Sequence, residues 1–322
     1  MSKFDVVALG ELLIDFTNNA ESTQGNPMFE ANPGGAPCNV LSMLENIGNK
    51  TAFIGKVGDD FFGRMLKKRV EKQGIDTKGL FLDSDVHTTL AFVNKLPNGD
   101  RDFSFYRKPG ADMMLTAADV DMVKDLLEEA SVFHFGTLSM TDEPAAEATR
   151  LAVETAKKSG AMISFDPNYR APLWESEEKA LKAMKYGFEH CDILKISDNE
   201  VELFTGMKDI EAGARKIKEE FDIPLVFATL GPDGSMALYR DMVVKKDGYR
   251  NPDTIETTGA GDTFCACAID FARRNGLEDL SEDKLLTCLD FANAAASIIT
   301  TRRGALSVMP RKEEVLEFLS DK

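Results

Sequence analysis

Short runs of β-branched and aromatic residues alternate with longer stretches of helical composition along most of this chain. The strand-like runs lie at 4–10, 51–57, 132–135, 162–166, 193–196 and 225–230. The helical stretches lie at 37–47, 60–73, 143–158, 177–188, 261–274, 284–300 and 312–319. This alternation is typical of a mostly parallel sheet flanked by helices. We therefore expect a single three-layer α/β domain over residues 1–322.

Two segments depart from this alternation. Residues 12–32 are non-helical and polar in their middle. Residues 88–96 and 102–107 are strand-like and flank Pro97-Asn98-Gly99-Asp100, a strong hairpin signal. Together, segments 12–32 and 88–108 predict a small β layer that is inserted into the α/β domain as a lid over a site. An edge hairpin without a function is the alternative interpretation.

The charge balance limits the partners of the chain. It has 54 acidic and 38 basic residues, a formal net charge of −16, which would repel nucleic-acid backbones and anionic membranes. Any phosphate site must therefore be built locally, from backbone amides and a few cations. The sequence has no apolar run of 18 residues, and its 5 cysteines lack the spacing of a disulfide framework or a zinc site. We expect a cytoplasmic protein with small-molecule partners.

The strongest local signal is a run of small residues before a helical stretch, Glu256-Thr257-Thr258-Gly259-Ala260-Gly261-Asp262-Thr263-Phe264. Small residues at a helix entry leave backbone N–H groups pointing outward, and the helix dipole adds roughly half a positive charge there. Gly259, Ala260 and Gly261 thus predict an anion hole for a transferring phosphoryl group. Asp262 would be placed to take a proton from an attacking hydroxyl. An ordinary helix start, with Asp262 as a partner of the dipole, explains these residues equally well.

A second glycine-rich motif lies about 220 residues earlier and decides between these interpretations. It reads Gly34-Gly35-Ala36-Pro37-Cys38-Asn39, and Phe53-Ile54-Gly55-Lys56-Val57-Gly58-Asp59-Asp60 and Phe62-Gly63 follow it. In this order the motifs resemble the two signatures of the ribokinase-like (pfkB) sugar kinases, and the resemblance covers essentially the whole chain. It implies a kinase that uses ATP and Mg²⁺, with Asp262 as the general base.

The resemblance also implies a sugar-binding group of Asp15, Gly34, Gly35 and Asn39. Glycines allow a small ligand to approach the backbone closely, and Asn39 can donate to and accept from hydroxyls. We place Asp15 at the end of the first strand, where doubly wound sheets bind ligands. Three further residues are predicted around the substrate: Arg107 at the end of a lid strand, and Asp166 and Arg170 in Asp166-Pro167-Asn168-Tyr169-Arg170. A capped turn with a surface arginine is the alternative for Arg170.

Nucleotide and metal sites follow from the same resemblance. Thr229, Gly231 and Gly234 match the nucleotide-contacting loop of the family, and Asn293 matches a position beside the adenine. Glu200 retains the acid of the family's Asn-x-x-Glu motif, in which Ser197 replaces the asparagine, and it is predicted to serve magnesium through water. Glu256 matches a monovalent-cation site formed with residues 301–305. The usual residue there is aspartate, which leaves activation by potassium open.

Within the family, several stretches resemble bacterial fructokinases, among them 10–16, 33–37, 105–107, 110–112 and 133–136. The implied reaction is the ATP-dependent phosphorylation of D-fructose to D-fructose 6-phosphate. A 2-keto-3-deoxygluconate kinase is the first alternative, because an arginine in the region of Arg107 serves a substrate carboxylate in those relatives. A ribose or nucleoside kinase and a catalytically inactive sugar sensor are the others. Relatives that dimerise through their lids suggest a homodimer here as well.

Overall fold

Two β-sheets organise the molecule. In the computed structural model, which describes residues 3–95 and 101–321, nine strands form a large sheet and four form a small one. The strands are β1 (Phe4–Leu9), β2 (Leu13–Glu21), β3 (Pro27–Gly34), β4 (Thr51–Gly58), β5 (Asp76–Asp83), β6 (Leu90–Lys95), β7 (Arg101–Tyr106), β8 (Ala130–Gly136), β9 (Met162–Asp166), β10 (Ile193–Ser197), β11 (Leu225–Thr229), β12 (Ser235–Tyr239) and β13 (Met242–Lys246). The helices are α1 (Ala36–Asn46), α2 (Phe61–Lys72), α3 (Ala117–Met122), α4 (Lys124–Glu128), α5 (Ala145–Lys158), α6 (Glu177–His190), α7 (Asp198–Thr205), α8 (Ile210–Glu220), α9 (Ala260–Asn275), α10 (Glu282–Ile299) and α11 (Lys312–Ser320).

The large sheet has the strand order β13-β12-β11-β10-β9-β8-β1-β4-β5. Its strands from β11 to β5 are parallel, and among the described strands of this sheet only the pairs β11–β12 and β12–β13 are antiparallel. Parallel strands place their carboxyl ends at one edge of the sheet, where ligands bind in open α/β folds. The ends of β9, β10 and β11 therefore lie side by side.

Helices cover both faces of this sheet, because its central strands are apolar on both sides. In β1, Val6 and Val7 are both fully buried although they point to opposite faces. Val6 packs into a core that contains α1, α9 and α10, and Val7 into a second core that contains α5. The predicted three-layer α/β fold is confirmed.

The small sheet has the order β3-β2-β6-β7, and it is built from the two segments that interrupt the alternation in sequence. Its strands alternate between two faces. Leu13, Asp15 and Thr17 line a cleft above the large sheet, whereas Phe16 stacks on Phe92 on the opposite face, with ring centroids 4.8 Å apart. The turn predicted at 97–100 lies outside the described residues.

Several details differ from the expectations. Asp15 does not end the first strand: β1 stops at Leu9, and the chain leaves the large sheet before it re-enters a sheet as β2 at Leu13. Strands β5, β12 and β13 were not predicted. Strands β5 and β13 lie at the edges of the large sheet and mix polar with apolar residues, whereas β12 is buried between β11 and β13. The five cysteines are buried and free. No helix in the described part of the chain is both long and apolar enough to span a bilayer.

Candidate active site

A cleft of about 480 Å³ opens between the carboxyl edge of the large sheet and the inner face of the small sheet. The amino-terminal ends of α1 and α9 and the ends of β10 and β11 form its floor. Lining residues from these elements include Gly35, Asn39, Lys195, Thr229 and Asp262. Thr17, Asn32, Val93 and Phe105 of the small sheet line the opposite wall. Segments far apart in sequence thus meet at one site.

Helix α9 brings its amino terminus to this cleft. Gly259 caps the helix in the left-handed region, with φ 80°, and as a glycine it has no side chain to cap this end. The amino terminus of the helix, with the positive end of its dipole, therefore lies at the cleft, as an anion site requires. Gly259 and Gly261 line the cleft, whereas Ala260 does not, and the Ala260 N–H is donated to Thr257 O at 3.2 Å.

Asp262 lies in the first turn of α9 and is held by Asn39 of α1. The Nδ2 atom of Asn39 donates to Asp262 Oδ2 at 2.8 Å, and both side chains are buried. Burial raises the pKa of Asp262, while the Asn39 hydrogen bond and the charges of Arg170 and Lys195 act to lower it. The Oδ1 atom of Asn39 has no partner among the described residues. Since Asn39 lines the cleft, a ligand hydroxyl can satisfy this oxygen.

The Gly34-Gly35 pair joins the small sheet to α1. Gly35 has φ 122°, and a Cβ built on it would lie 2.4 Å from Glu11 O. The chain can therefore turn into α1 at this point only with glycine. Gly34 does not line the cleft, but a Cβ on it would lie 2.2 Å from Asp15 Oδ2. The glycine thus makes room for the Asp15 carboxylate, which does line the cleft.

Asp166 ends β9 beneath the cleft. It forms an ion pair with Lys195 of β10, whose Nζ lies 3.0 Å from Asp166 Oδ2. Burial raises the pKa of Asp166, against the opposing effect of the Lys195 charge. Asp166 is not in the lining of the main cleft but lines a small cavity behind it, together with Glu11 and Asp262.

Glu200 lines the cleft from the first turn of α7. Its Oε2 accepts from the N–H and the hydroxyl of Ser197, both at 2.8 Å, which completes a capping box. Its Oε1 accepts from Tyr169 N at 2.8 Å. The described residues contain no group of three or more side chains that could hold a metal ion. A magnesium ion fits here only with substrate phosphates and water as further ligands, a common arrangement for this ion.

Glu256 also lines the cleft, before α9. Its Oε1 accepts from Gly304 N at 3.0 Å, so the side chain contacts the 301–305 loop with which the resemblance groups it. Thr229 and Gly231, at the end of β11, line the same side of the cleft.

The other two predicted nucleotide residues do not line the cleft. Asn293 of α10 accepts from Ser235 Oγ at 2.9 Å and donates to the carbonyls of Lys246 and Asp247 at 3.3 Å. A Cβ built on Gly234 would lie 2.2 Å from Lys246 O. Both residues therefore pack against the segment that follows β13.

The two predicted arginines differ in their surroundings. Arg107 is buried and does not line the cleft: its Nε donates to Asp112 Oδ2 at 2.7 Å, and its terminal nitrogens donate to Thr141 Oγ1 and Leu138 O. Arg170 is exposed and does line the cleft.

Two buried charged residues of the cleft were not predicted from the sequence. Lys195 stands in the strand Ile193–Ser197, and Glu11 follows the first strand; both are buried. The Glu11 carboxylate accepts from Ala36 N at 2.8 Å, and burial raises its pKa to about 7. The sequence signal that could have identified both residues is a charged residue within, or directly after, an apolar strand.

A buried carboxylate in the first turn of a helix, beside the amino terminus of that helix, suits an enzyme that transfers an anionic group to a hydroxyl. Comparisons with known proteins agree with this class. The pfkB family carbohydrate kinase profile matches residues 3–312. The chain belongs to the pfkB family of carbohydrate kinases, as its motifs predicted.

Individual relatives cover nearly the whole chain. The probable fructokinase-2 of Arabidopsis thaliana is 38% identical over 318 residues, 98% of this chain and 95% of the relative. The fructokinase of Xylella fastidiosa with bound ATP superposes with a TM-score of 0.87 at 28% identity, over 98% of each chain. A fructokinase double mutant of Vibrio cholerae O395, bound to fructose, ADP and potassium, gives 0.86 at 26% identity over 99% of each chain.

Proposed function

We propose that the protein is a fructokinase, which converts ATP and D-fructose to ADP and D-fructose 6-phosphate. The observation that carries the proposal is the Asp262 carboxylate, which Asn39 holds at the amino terminus of α9 in the cleft. Relatives of the chain are named fructokinases. A base and an anion site in contact with one cleft are what phosphoryl transfer to a hydroxyl requires.

The reaction follows from this geometry. Asp262 accepts the proton of the primary hydroxyl as the oxygen attacks the γ-phosphorus of ATP in line, and the electron pair of the broken bond leaves with ADP. The amino terminus of α9, with Gly259 and Gly261 at the cleft, stabilises the developing negative charge. Burial of Asp262 keeps its pKa raised, which makes the carboxylate a stronger base than an exposed one.

Some of the remaining site residues are assigned the roles expected from the resemblance, and others act less directly. Asp15, Gly35 and Asn39 bind the sugar, and Gly34 makes room for Asp15. Thr229 and Gly231 contact the nucleotide. Glu200, through water, would help to hold the magnesium ion, which neutralises charge on the phosphates. Four residues act less directly: Arg170 attracts phosphate from the rim, Asp166 supports Lys195, and Gly234 and Asn293 shape the nucleotide side. Glu256 and the 301–305 loop would hold a monovalent cation, and the glutamate in place of the usual aspartate leaves activation by potassium open.

The contacts of Arg107 favour a neutral sugar over 2-keto-3-deoxygluconate. An arginine that binds a substrate carboxylate must present its charge to the cleft. Here the guanidinium is buried, is paired with Asp112 at 2.7 Å and does not line the cleft. Arg107 supports the base of the small sheet instead, since it joins the end of β7 to Leu138 and Thr141.

The outer face of the small sheet supports a homodimer. Phe16, Phe29, Phe92 and Tyr106 form a continuous aromatic cluster on it, and Tyr106 is 66% and Phe29 42% exposed. An exposed apolar patch of this kind marks an interaction surface. We propose that a second copy of the chain covers it and that the sheet closes over the cleft as a lid. Sedimentation should give a dimer for the wild type and a monomer for F29E/Y106E; a monomeric wild type would contradict the proposal.

Asp262→Asn tests the function directly, because asparagine can still accept from Asn39 Nδ2 but cannot take the proton. We expect kcat to fall by about 10²–10⁴ with the KM for fructose nearly unchanged. The measurement is ADP release on fructose, ribose, adenosine and 2-keto-3-deoxygluconate, with fructose as the preferred acceptor. The control is Asp270→Asn, on the outer part of α9, where the side chain pairs with Arg273 and Arg274. Turnover near the wild-type rate in the Asp262 variant would refute the base assignment.

A further inference from the structure

Lys195 is a buried cation in contact with the phosphoryl end of the cleft. Its side chain is 7% exposed and lines the cleft. The Nζ atom lies over the first turn of α9, so close that a Cβ built on Gly261 would be 3.2 Å from it. The ammonium group therefore stands beside the predicted anion hole.

More negative charge surrounds Lys195 than a single ion pair would supply. Nζ is 3.0 Å from Asp166 Oδ2 and 3.2 Å from Asp166 Oδ1. The carboxylates of Asp166 and Glu200 both act to keep the pKa of Lys195 raised, so the group stays charged. Asp262 is a third carboxylate within electrostatic reach of this cluster. A phosphate that enters so acidic a site needs a fixed positive charge close by.

Few cations in the cleft can meet this need. Among the described residues that line it, the cationic side chains are Lys195 and Arg170. Arg170 is exposed, so water and salt screen its charge. Lys195 is buried, and its charge acts through a medium of lower dielectric. An ammonium group has three N–H donors, and the described contacts of Lys195 are all with the two oxygens of Asp166.

We infer that Lys195 is a catalytic residue of the proposed kinase, which donates a hydrogen bond to the transferring phosphoryl group while Asp166 holds its side chain in place. This inference rests on the proposed function. As the bond between the sugar oxygen and phosphorus forms, the bond from phosphorus to the β-phosphate oxygen breaks and its electron pair leaves with ADP. The hydroxyl proton goes to Asp262, and Lys195 keeps its proton throughout.

The competing explanation is purely structural: Lys195 only neutralises Asp166 so that β9 and β10 can end side by side. The two explanations predict different effects on ligand binding. A structural lysine affects every ligand and the stability of the fold, whereas a phosphoryl-binding lysine distinguishes ATP from ADP, because only ATP carries the γ-phosphoryl group.

The experiment compares Lys195→Met, which preserves length without charge, with Lys195→Arg and with the surface control Lys179→Met on α6, whose side chain is more than half exposed. For each purified protein, calorimetry gives the affinities for ADP and for a non-hydrolysable ATP analogue, and coupled assays give kcat and the KM for fructose. Lys195→Met/Asp166→Asn, in which both charges of the pair are removed, replaces the single variant if that one does not fold.

We expect Lys195→Met to lower kcat by about 10²–10³ and to lower the affinity for the ATP analogue by about 10- to 100-fold. The affinity for ADP and the KM for fructose should stay within about twofold of wild type. Lys195→Arg should recover part of the loss, since it restores charge and donors. Equal losses of ADP and ATP-analogue affinity, or a kcat within about threefold of wild type, would overturn the inference. A wild-type protein that does not phosphorylate fructose would instead overturn the proposed function.

Discussion

At the scale of single residues, the cleft is built from buried polar groups that hold one another in place. Asn39 and Asp262 are 223 positions apart in sequence, yet their side chains share a hydrogen bond of 2.8 Å. This bond orients the carboxylate and also stabilises its ionised form, against the effect of burial. The same contact therefore sets both the position of the proposed base and the pH at which it works.

Replacing Asn39 should change the pH dependence of the reaction. Asp262 must be ionised to accept a proton, so kcat falls as the pH drops through its pKa. The hydrogen bond from Asn39 lowers that pKa, and its loss in Asn39→Ala raises it. We expect the acidic limb of the kcat profile to move to higher pH, and the KM for fructose to rise about 2- to 10-fold as a sugar contact is lost.

Asn46→Ala is a matched control on the same helix, because Asn46 Nδ2 donates to Met309 O away from the cleft. Its acidic limb should coincide with that of the wild type. A limb that stays in place in Asn39→Ala, or moves to lower pH, would contradict the role given to this hydrogen bond.

Residues that carry chemistry within a local motif were predictable, and residues that depend on distant partners were not. Asp262, Asn39 and Gly35 stand in glycine-rich runs whose helix starts can be read from sequence. The role of Lys195 depends on its contact with Asp166. The two residues are 29 positions apart and meet only because β9 and β10 pair in parallel. No local pattern carries that information.

At the scale of elements, α1 transmits the geometry of the small sheet to the base. The helix begins directly after Gly35, where the Ala36 N–H is donated to Glu11, and it delivers Asn39 to Asp262 one turn later. Glycine is required at this entry because the Glu11 backbone passes within 2.4 Å of where a Cβ would lie. A shift of the entry would move Asn39 and thereby the base.

Gly35→Ala should therefore impair both stability and turnover. The substitution combines an unfavourable φ of 122° with a collision against backbone, which cannot move as a flexible side chain can. We expect the free energy of unfolding to fall by about 2–4 kcal/mol and kcat by about 10-fold or more. Urea unfolding and the coupled assay measure the two effects.

The opposite end of the same helix supplies the control. Gly48 follows α1 with φ 91°, but a Cβ built on it would meet no heavy atom within 4 Å. Gly48→Ala should thus lower the free energy of unfolding only through its unfavourable backbone conformation, by about 1–2 kcal/mol, and leave kcat unchanged. Equal effects of the two substitutions on kcat would show that the entry to α1 does not position the base.

Element prediction succeeded where a segment has one clear environment. Strand β9, in which four of five residues are buried, was predicted with its bounds intact, and α9 and α10 to within two residues at each end. Strands β5 and β13 were missed at the edges of the large sheet, where one side of each lacks a strand partner and polar residues mix with apolar ones. The pairing of β2 with β6, which creates the small sheet, joins segments some 75 residues apart, and sequence patterns constrain such contacts weakly.

At the scale of the whole molecule, an acidic chain places further acidic groups in its interior. Glu11, Asp166 and Asp262 line one small cavity, and burial raises the pKa of each; that of Glu11 reaches about 7. A buried carboxyl with a raised pKa destabilises the folded state wherever it must be ionised. The buried carboxyls therefore lower the stability of the fold at neutral and alkaline pH. The same burial makes Asp262 a stronger base.

Glu11→Gln should remove part of this cost in a pH-dependent way. Folding raises the pKa of Glu11 from 4.5 to about 7, so stability decreases as the pH rises between these values and the full penalty applies above 7. Glutamine keeps an acceptor for the Ala36 N–H but is never charged. We expect the variant to be more stable than wild type by about 1–3 kcal/mol near pH 8, and the gain to shrink towards pH 5. Urea unfolding at both pH values measures this, with the surface variant Glu128→Gln as control. A gain that is the same at both pH values, or larger at the lower one, would show that Glu11 is not the group whose ionisation strains the fold.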